Sequence, residues 1–350
     1  MTAEITVDGL PVPPASAERD PEQQPRSRPR RRAIVLLLLL GLLATLVTIA
    51  LWYFLFRQPI TALPLPGIPT AEVPGYSTAM YGTERPLGVA VSPSGDRIYV
   101  SQSEGARVGL VLDGSGNTLA TMAPPASTGT DHVPLFIAID PLTSEVYVTD
   151  RPAGAVYIYD RDGAYERTLA LAKPIVAWQP VGIAFDATGL LYIGDLSGAS
   201  PTIEVFDRQA NLVRRIGADN RMSFPNGVAV DAGGNVYVAD SNNGRLLVFD
   251  AAGTLRAQVG RGAGQGNLGL PRGVAVDDHG RVFVADNTGQ GLFVFGTPQS
   301  GSRILDLIGY VGGEGAADAK FSYPNGVATD GRGRVYIADT ANNRLQLWSY

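Results

Sequence analysis

The chain has 350 residues, of which 45% are hydrophobic and 17% are charged, so it is long and apolar enough to bury a sizeable core. The absence of cysteine excludes disulfide scaffolds and thiolate metal sites. With only two histidines, His132 and His279, a histidine-rich zinc site is almost excluded as well. The net charge of −5 argues against nucleic acid as a partner, because nucleic-acid-binding domains usually carry a basic surface.

The first predicted element is an apolar helix at residues 33–56, which carry no charged side chain. At about 1.5 Å per residue, this helix is longer than a membrane hydrocarbon core of about 30 Å. Arginines precede it at positions 26, 28, 30, 31 and 32, whereas Arg57 alone follows it. The positive-inside rule therefore predicts an uncleaved signal anchor, a single-pass transmembrane helix with its N-terminus in the cytoplasm. Everything after Arg57 is then predicted to lie outside the cell.

The segments on either side of this helix are predicted to have no folded core. Residues 1–32 combine prolines with polar side chains, a composition that cannot offset the entropy lost on ordering. We expect them to form a disordered cytoplasmic tail. Residues 57–75 contain prolines at positions 59, 64, 66, 69 and 74, and we expect an extended, Pro-rich stalk.

From residue 76 onward the chain repeats a short motif, Pro-x-Gly-Val-Ala-x-Asp. Its copies begin at prolines 86, 134, 180, 225, 271 and 324, which are 48, 46, 45, 46 and 53 residues apart. Runs rich in β-branched and aromatic residues follow each copy and are separated by Gly, Asp and Asn, as expected for short strands. Such a period is typical of the four-stranded blades of a propeller. We therefore predict an all-β fold, a six-bladed β-propeller over residues 76–350.

The sixth unit has only three predicted strands before the chain ends at Tyr350. An outer strand edge left without a partner is a liability that proteins normally cover. Residues 76–82 have the form of a fourth strand, and they directly precede the first Pro-x-Gly motif. We expect this segment to complete the sixth blade and close the ring.

Units four and six share a longer motif in the second strand and the turn after it. It reads Asn-Val-Tyr-Val-Ala-Asp at 235–240, with Asn243 and Arg245, and Arg-Val-Tyr-Ile-Ala-Asp at 334–339, with Asn342 and Arg344. This pattern resembles the NHL-repeat family, and the resemblance extends over roughly residues 76–350. In both copies we expect the arginine to pair with the last aspartate of the motif and fix the turn.

The order of segments also resembles a known architecture. A basic cytoplasmic tail, one membrane span, a stalk and an outside propeller are similar to the sensor part of bacterial receptor kinases that carry NHL propellers. Thirty-two cytoplasmic residues leave no room for a kinase domain, so we expect the sensor without the kinase. Arginine far outnumbers lysine, which occurs only at Lys173 and Lys320, and this composition favours a bacterial source.

Related propeller enzymes provide the alternative function. Peptidylglycine-amidating lyases use a histidine-bound zinc, but His132 precedes a first strand and His279 follows one, so the two lie on opposite faces. Streptogramin lyases and gluconolactonase-like propellers are looser analogues, and the latter group uses carboxylate and Asn metal ligands. A metal-dependent lactonase, esterase or lyase, with calcium as its ion, therefore stays open as the alternative. No catalytic residue and no metal ligand can be assigned to it from the sequence.

The favoured function is non-catalytic recognition of an extracellular protein, peptide or glycan, without a cofactor. Loops that precede first strands share one face of a propeller, and Arg and aromatic residues on such rigid loops are favoured in interfaces. The candidate binding residues are Arg85, His132, Trp178, Arg221, Phe224 and Tyr323, together with the post-proline residues Asn226, Arg272 and Asn325. Asn226 and Asn325 could instead satisfy local backbone groups.

Overall fold

The computed structural model describes residues 29–55, 73–126, 131–260, 266–299 and 301–350. The chain divides into two compact units, Met1–Arg57 and Gln58–Tyr350. In the first unit, helix α1 spans Pro29–Leu55. Of the predicted tail at residues 1–32, the structure describes only residues 29–32. Of the predicted stalk at residues 57–75, it describes only residues 73–75.

A membrane crossing requires roughly 20 consecutive, mainly apolar residues in one helix. Within the described stretches, no helix has the length and apolarity of a membrane span. The predicted transmembrane helix at residues 33–56 is therefore not supported by the structure.

The second unit is an all-β structure built from six antiparallel, four-stranded sheets in its described residues. The first strand in chain order, β1 (Gly75–Tyr81), belongs to blade six. Blades one to three contain β2 (Pro86–Val91), β3 (Arg97–Gln102), β4 (Gly109–Asp113), β5 (Thr118–Met122), β6 (Pro134–Ile139), β7 (Val146–Asp150), β8 (Ala155–Tyr159), β9 (Tyr165–Thr168), β10 (Pro180–Phe185), β11 (Leu191–Asp195), β12 (Thr202–Phe206) and β13 (Leu212–Ile216). Blades four to six contain β14 (Pro225–Val230), β15 (Val236–Asp240), β16 (Arg245–Phe249), β17 (Leu255–Gly260), β18 (Pro271–Val276), β19 (Arg281–Asp286), β20 (Gly291–Gly296), β21 (Leu307–Gly312), β22 (Pro324–Thr329), β23 (Arg334–Asp339) and β24 (Arg344–Ser349).

The six-bladed propeller predicted from the repeat is confirmed. Each Pro-x-Gly motif forms the first strand of a blade, and the first strands of neighbouring blades contact one another around a closed circle. They approach so closely that a Cβ added to Gly227 would lie 2.6 Å from the carbonyl oxygen of Arg272. A Cβ added to Gly326 would lie 2.5 Å from the carbonyl oxygen of Leu87. Glycine is therefore required at these two positions by the packing of the axis.

The ring closes through strand β1, as predicted for residues 76–82. β1 pairs antiparallel with β24, with Met80 opposite Leu345 and Ala79 opposite Gln346. The side chain of Met80 is 5% exposed and packs in the core between blades six and one. At the other end of the strand, the hydroxyl oxygens of Ser77 and Ser349 lie 2.7 Å apart. The sixth blade is thus assembled from both ends of the propeller sequence.

The hydrophobic core lies between neighbouring blades. One cluster, for example, joins Tyr237 and Val248 of blade four to Val284 and Phe295 of blade five. Tyr237 has no exposed side-chain area, and its hydroxyl donates to the Asp231 carboxylate at 3.0 Å. Burying such a side chain stabilises the fold by about 1.5–3 kcal/mol, so each blade depends on its neighbours for its core.

Candidate functional site

All nine candidate residues lie at one end of the propeller, which we call the proline face because each first strand begins there with its proline. Its described loops are residues 82–85, 123–126, 131–133, 169–179, 217–224, 266–270 and 313–323, with the turns at 103–108, 151–154, 196–201, 241–244, 287–290 and 340–343. The opposite end, the far face, carries the turns between first and second strands. The candidates share the proline face because each precedes or directly follows a first-strand proline.

Buried aspartates hold the loops of the proline face in place. They end the second strands of blades two to six, at Asp150, Asp195, Asp240, Asp286 and Asp339, and none is more than 2% exposed. Each carboxylate accepts a hydrogen bond from a backbone N–H in the loop before the first strand of its own blade. The predicted pairs are confirmed, because Arg245 Nε donates to Asp240 at 2.7 Å and Arg344 Nε donates to Asp339 at 2.7 Å.

Four candidate residues have left-handed backbone conformations, with φ of 45° at Arg85, 47° at Arg221, 64° at Phe224 and 52° at Tyr323. Such a conformation is unfavourable for bulky side chains and costs about 1–3 kcal/mol at each position. Neighbouring side chains hold two of them: the Asn343 amide oxygen accepts from Arg85 N at 2.9 Å, and the Gln290 amide oxygen accepts from Tyr323 N at 2.7 Å. The surrounding structure therefore stabilises backbone strain on this face.

The candidates differ in exposure. Arg85 and Arg221 are exposed, and half of the Tyr323 side chain is accessible to solvent. Trp178 is only 9% exposed, because it packs edge-on against Phe206 with ring centroids 6.4 Å apart.

The post-proline asparagines lie deeper in the fold. Asn226 is 3% exposed and donates from Nδ2 to the Ser241 hydroxyl at 2.8 Å, whereas Asn325 is half-buried. The Asn226 side chain therefore bonds to another side chain, whereas the alternative weighed for it was a bond to local backbone groups.

His132 forms a dyad with a buried carboxylate. Its Nδ1 lies 2.8 Å from Asp150 Oδ2, and its ring meets the edge of Tyr157 at 5.7 Å. His279 lies in the turn between β18 and β19 on the far face, so the two histidines are on opposite faces as predicted. In the part of the chain that the structure describes, no three His, Cys, Asp or Glu side chains are grouped as metal ligands.

On the proline face, Arg151 of blade two contacts Phe224 of blade four, and Arg272 of blade five lies near enough to Arg151 to be affected by its charge. Arg151 follows β7 of blade two, and its guanidinium carbon lies 5.3 Å from the ring centroid of Phe224 in blade four. Arg272 is the second residue of β18 in blade five and is half-buried. Burial, followed by the positive charge of nearby Arg151, lowers the pKa of the Arg272 guanidinium below its usual range. We call Arg151 and Arg272 the axial arginine pair.

Arg151 was missed among the candidates, although the repeat carries a signal for it. At the corresponding position after the second-strand aspartate, Ser241, Asn287 and Thr340 donate to a backbone carbonyl of the next blade. An arginine departs from this pattern of short polar side chains. Arg151 also lines a cavity of about 770 Å³, together with Ile175, Ala177, Trp178 and Gln179.

Comparison with known proteins agrees with the repeat and the fold. The NHL repeat family matches residues 222–249 and 321–347, which contain the two longer motifs of units four and six. The chain is also 28% identical, over 186 residues, to the mouse protein "NHL repeat-containing protein 3". This match covers 49% of the chain and 53% of the relative, so the chain spans about half the length of that protein.

Similar solved structures include three propellers at low sequence identity. A streptogramin B lyase is 13% identical with a TM-score of 0.54, covering 78% of this chain and 96% of its own. A protein of unknown function from Bacteroides thetaiotaomicron VPI-5482 is 16% identical with a TM-score of 0.59, and the match covers 80% of this chain and 72% of that protein. A chain of the nidogen/laminin complex is 19% identical with a TM-score of 0.51, and the match covers 65% of this chain and 86% of that chain. These identities show the fold alone. The chain therefore matches the NHL repeat family at residues 222–249 and 321–347, and it forms a six-bladed β-propeller.

Proposed function

We propose that the propeller is a binding or scaffold module that recognises a protein, peptide or glycan through its proline face, without catalysis. The observation that carries this proposal is the group of bulky residues held in left-handed conformations on that face. Backbone strain of this kind persists only where the surrounding structure compensates its cost, and it clusters at functional sites. Here the strain places Arg85, Arg221 and Tyr323 in exposed positions on rigid loops.

The chemistry of these side chains suits an interface. Arg and Tyr are enriched among the residues that contribute most to protein binding, since they combine large contact areas with hydrogen-bonding groups. The strands beneath them form a closed ring, so the exposed side chains keep their mutual positions without ordering on binding. The nidogen/laminin complex, in which one similar chain was solved, supports the proposal only as an example of the fold in an assembly.

The proposal includes an extracytoplasmic, membrane-anchored position, as in a sensor without a kinase. Its support is the sequence alone: the uncharged residues 33–56 and the cluster of arginines on their N-terminal side. A partner in the cell envelope would then meet the propeller outside the cytoplasm.

Two matched triple variants test the binding face. The first combines Arg85→Ala, Arg221→Ala and Tyr323→Ala, and the control combines Gln209→Ala, Asp278→Ala and His279→Ala, which are exposed on the far face. Each full-length protein is used to capture partners from a cell-envelope extract, followed by titration with the partner captured by the wild type. We expect the first variant to bind roughly tenfold or more weakly and the control to match the wild type. Equal binding by both variants would refute the chosen face.

One observation favours the alternative function, a lactonase, esterase or lyase. The Asp150 carboxylate next to His132 Nδ1 is the arrangement that orients a histidine as a general base. The test is turnover of lactones and aryl esters by the full chain with calcium, zinc or chelator, compared with His132→Ala. Turnover that requires a metal and His132 would replace the binding proposal with the enzyme.

A further inference from the structure

The axial arginine pair differs from the arginines that pair with a buried aspartate. Arg245, Arg334 and Arg344 each donate to a buried aspartate. In the described residues, by contrast, neither Arg151 nor Arg272 forms an ion pair with a carboxylate. The Nε of Arg272 is buried and has no hydrogen-bond partner there.

This arrangement is unfavourable for the isolated protein. Arginine stays protonated at neutral pH, so burial removes water from a cation that cannot neutralise itself. A second cation close by adds repulsion, and the ring of Phe224 compensates only part of it by facing Arg151. A negatively charged group at the centre of the proline face would supply the missing counter-charge.

We propose that the axial arginine pair binds an oxyanion, the carboxylate or phosphate group of a ligand that reaches the centre of the proline face. Guanidinium groups match both anions because they present parallel N–H donors in one plane. The inference rests on the proposed function, since it names the chemistry that this face recognises.

The neighbouring cavity provides room for the remainder of such a ligand. It is an open cleft of about 770 Å³, lined by polar and apolar groups that include Arg151, Trp178 and Ile175. In small-molecule sites, a few polar groups typically fix the orientation of the ligand. Arg151 borders this cavity and belongs to the pair, so it links the proposed anion site to a site for an apolar or sugar body.

The first experiment measures thermal stability of the full-length protein and needs no natural ligand. In buffer without phosphate or carboxylate, Arg272→Met should raise the Tm by roughly 2–4 °C, because it removes an uncompensated buried charge. Adding phosphate or succinate at constant ionic strength should raise the Tm of the wild type and leave that of Arg272→Met unchanged. The control Arg245→Met should lower the Tm in both buffers, since it breaks the pair with Asp240. A lower Tm for Arg272→Met in anion-free buffer would assign Arg272 a structural role and overturn the proposal.

The second experiment measures binding by calorimetry, with inorganic phosphate and succinate as separate probes at constant ionic strength. We expect saturable binding of at least one probe, weakened roughly tenfold by Arg151→Gln and by Arg272→Gln, because each removes a charged donor. The probe bound more tightly identifies the source of the anion. Arg107→Gln, which changes an exposed arginine in the turn at residues 103–108 of the same face, should bind like the wild type. Absence of saturable binding of both probes, or equal weakening by Arg107→Gln, would overturn the proposal.

Failure of this inference is distinguishable from failure of the proposed function. In one outcome, the variant carrying Arg85→Ala, Arg221→Ala and Tyr323→Ala loses capture of the partner while the wild type binds no anion. The proline face would then remain a binding face without an anion site. Anion binding together with unchanged capture by that variant would preserve the anion site and refute the larger face.

Discussion

At the scale of single residues, Asp339 shows how one side chain fixes a loop of the proline face. It has no exposed side-chain area, and it accepts four hydrogen bonds, from Ser322 N, Asn342 Nδ2, Arg344 Nε and Gln346 Nε2. Removal of this carboxylate would leave the Arg344 guanidinium buried without its counter-charge. Buried ion pairs add little when complete, yet they are costly to break from one side.

We predict that Asp339→Ala lowers the free energy of unfolding by about 3–5 kcal/mol. The matched control is Asp162→Ala, which removes an aspartate that is 76% exposed and pairs with Arg97 at 3.3 Å. This change should alter the free energy of unfolding by less than about 1 kcal/mol, because water screens the exposed pair. Guanidinium denaturation of both variants measures the difference, and equal destabilisation would contradict the assigned role of Asp339.

The sequence predicts which face a residue lies on better than whether it is exposed. The place of Arg221 or Tyr323 relative to a first-strand proline decides the face, because strands alternate in direction along each blade. The exposure of Trp178 depends on Phe206, a contact that no local pattern reports. The meeting of Arg151 with Phe224 likewise depends on the reach of side chains from separate blades across the axis.

At the scale of elements, strand order could be predicted while some strand limits could not. The segment at residues 76–82 indicated closure through its form and its position before the first repeat, and β1 occupies Gly75–Tyr81. In blade five, the run at residues 304–309 has the form of an outer strand, whereas β21 spans Leu307–Gly312. Both segments are amphipathic and end in glycine, so the pairing with β20 decides between them.

The pairing of β1 with β24 can be tested with an engineered disulfide, because the chain contains no other cysteine that could form a bridge. The hydroxyl oxygens of Ser77 and Ser349 lie 2.7 Å apart, so Ser77→Cys with Ser349→Cys should form a disulfide. The oxidised protein should be more stable than its reduced form by about 2–4 kcal/mol, because the bridge restricts the unfolded chain. Mobility on non-reducing gels and denaturation with and without reductant measure both effects. The single variant Ser77→Cys is the control, and failure of the pair to cross-link within one chain would contradict the ring closure.

At the scale of the whole molecule, the arginines before residue 33 predict the orientation of the chain in the cell. Protease added to intact cells should cut within residues 57–75 and release the propeller, while a cytoplasmic marker protein stays intact. Immunoblots against the propeller, before and after lysis, measure its accessibility. A propeller protected until the cells are lysed would contradict the extracytoplasmic position.

The direction of β1 has a mechanical consequence for the closed ring. Gly75 lies opposite Ser349 at the far face, and Tyr81 lies opposite Arg344 at the proline face, so the chain joins the ring at the end away from the proline face. A pull between the N-terminal segment and a ligand on the proline face would act along the length of β1. Because the hydrogen bonds of an antiparallel pair are perpendicular to the strands, this force shears all of them at once instead of peeling them one by one. Under tension, the pairing of β1 with β24 that closes the ring would therefore be loaded in the direction in which antiparallel strands are hardest to separate.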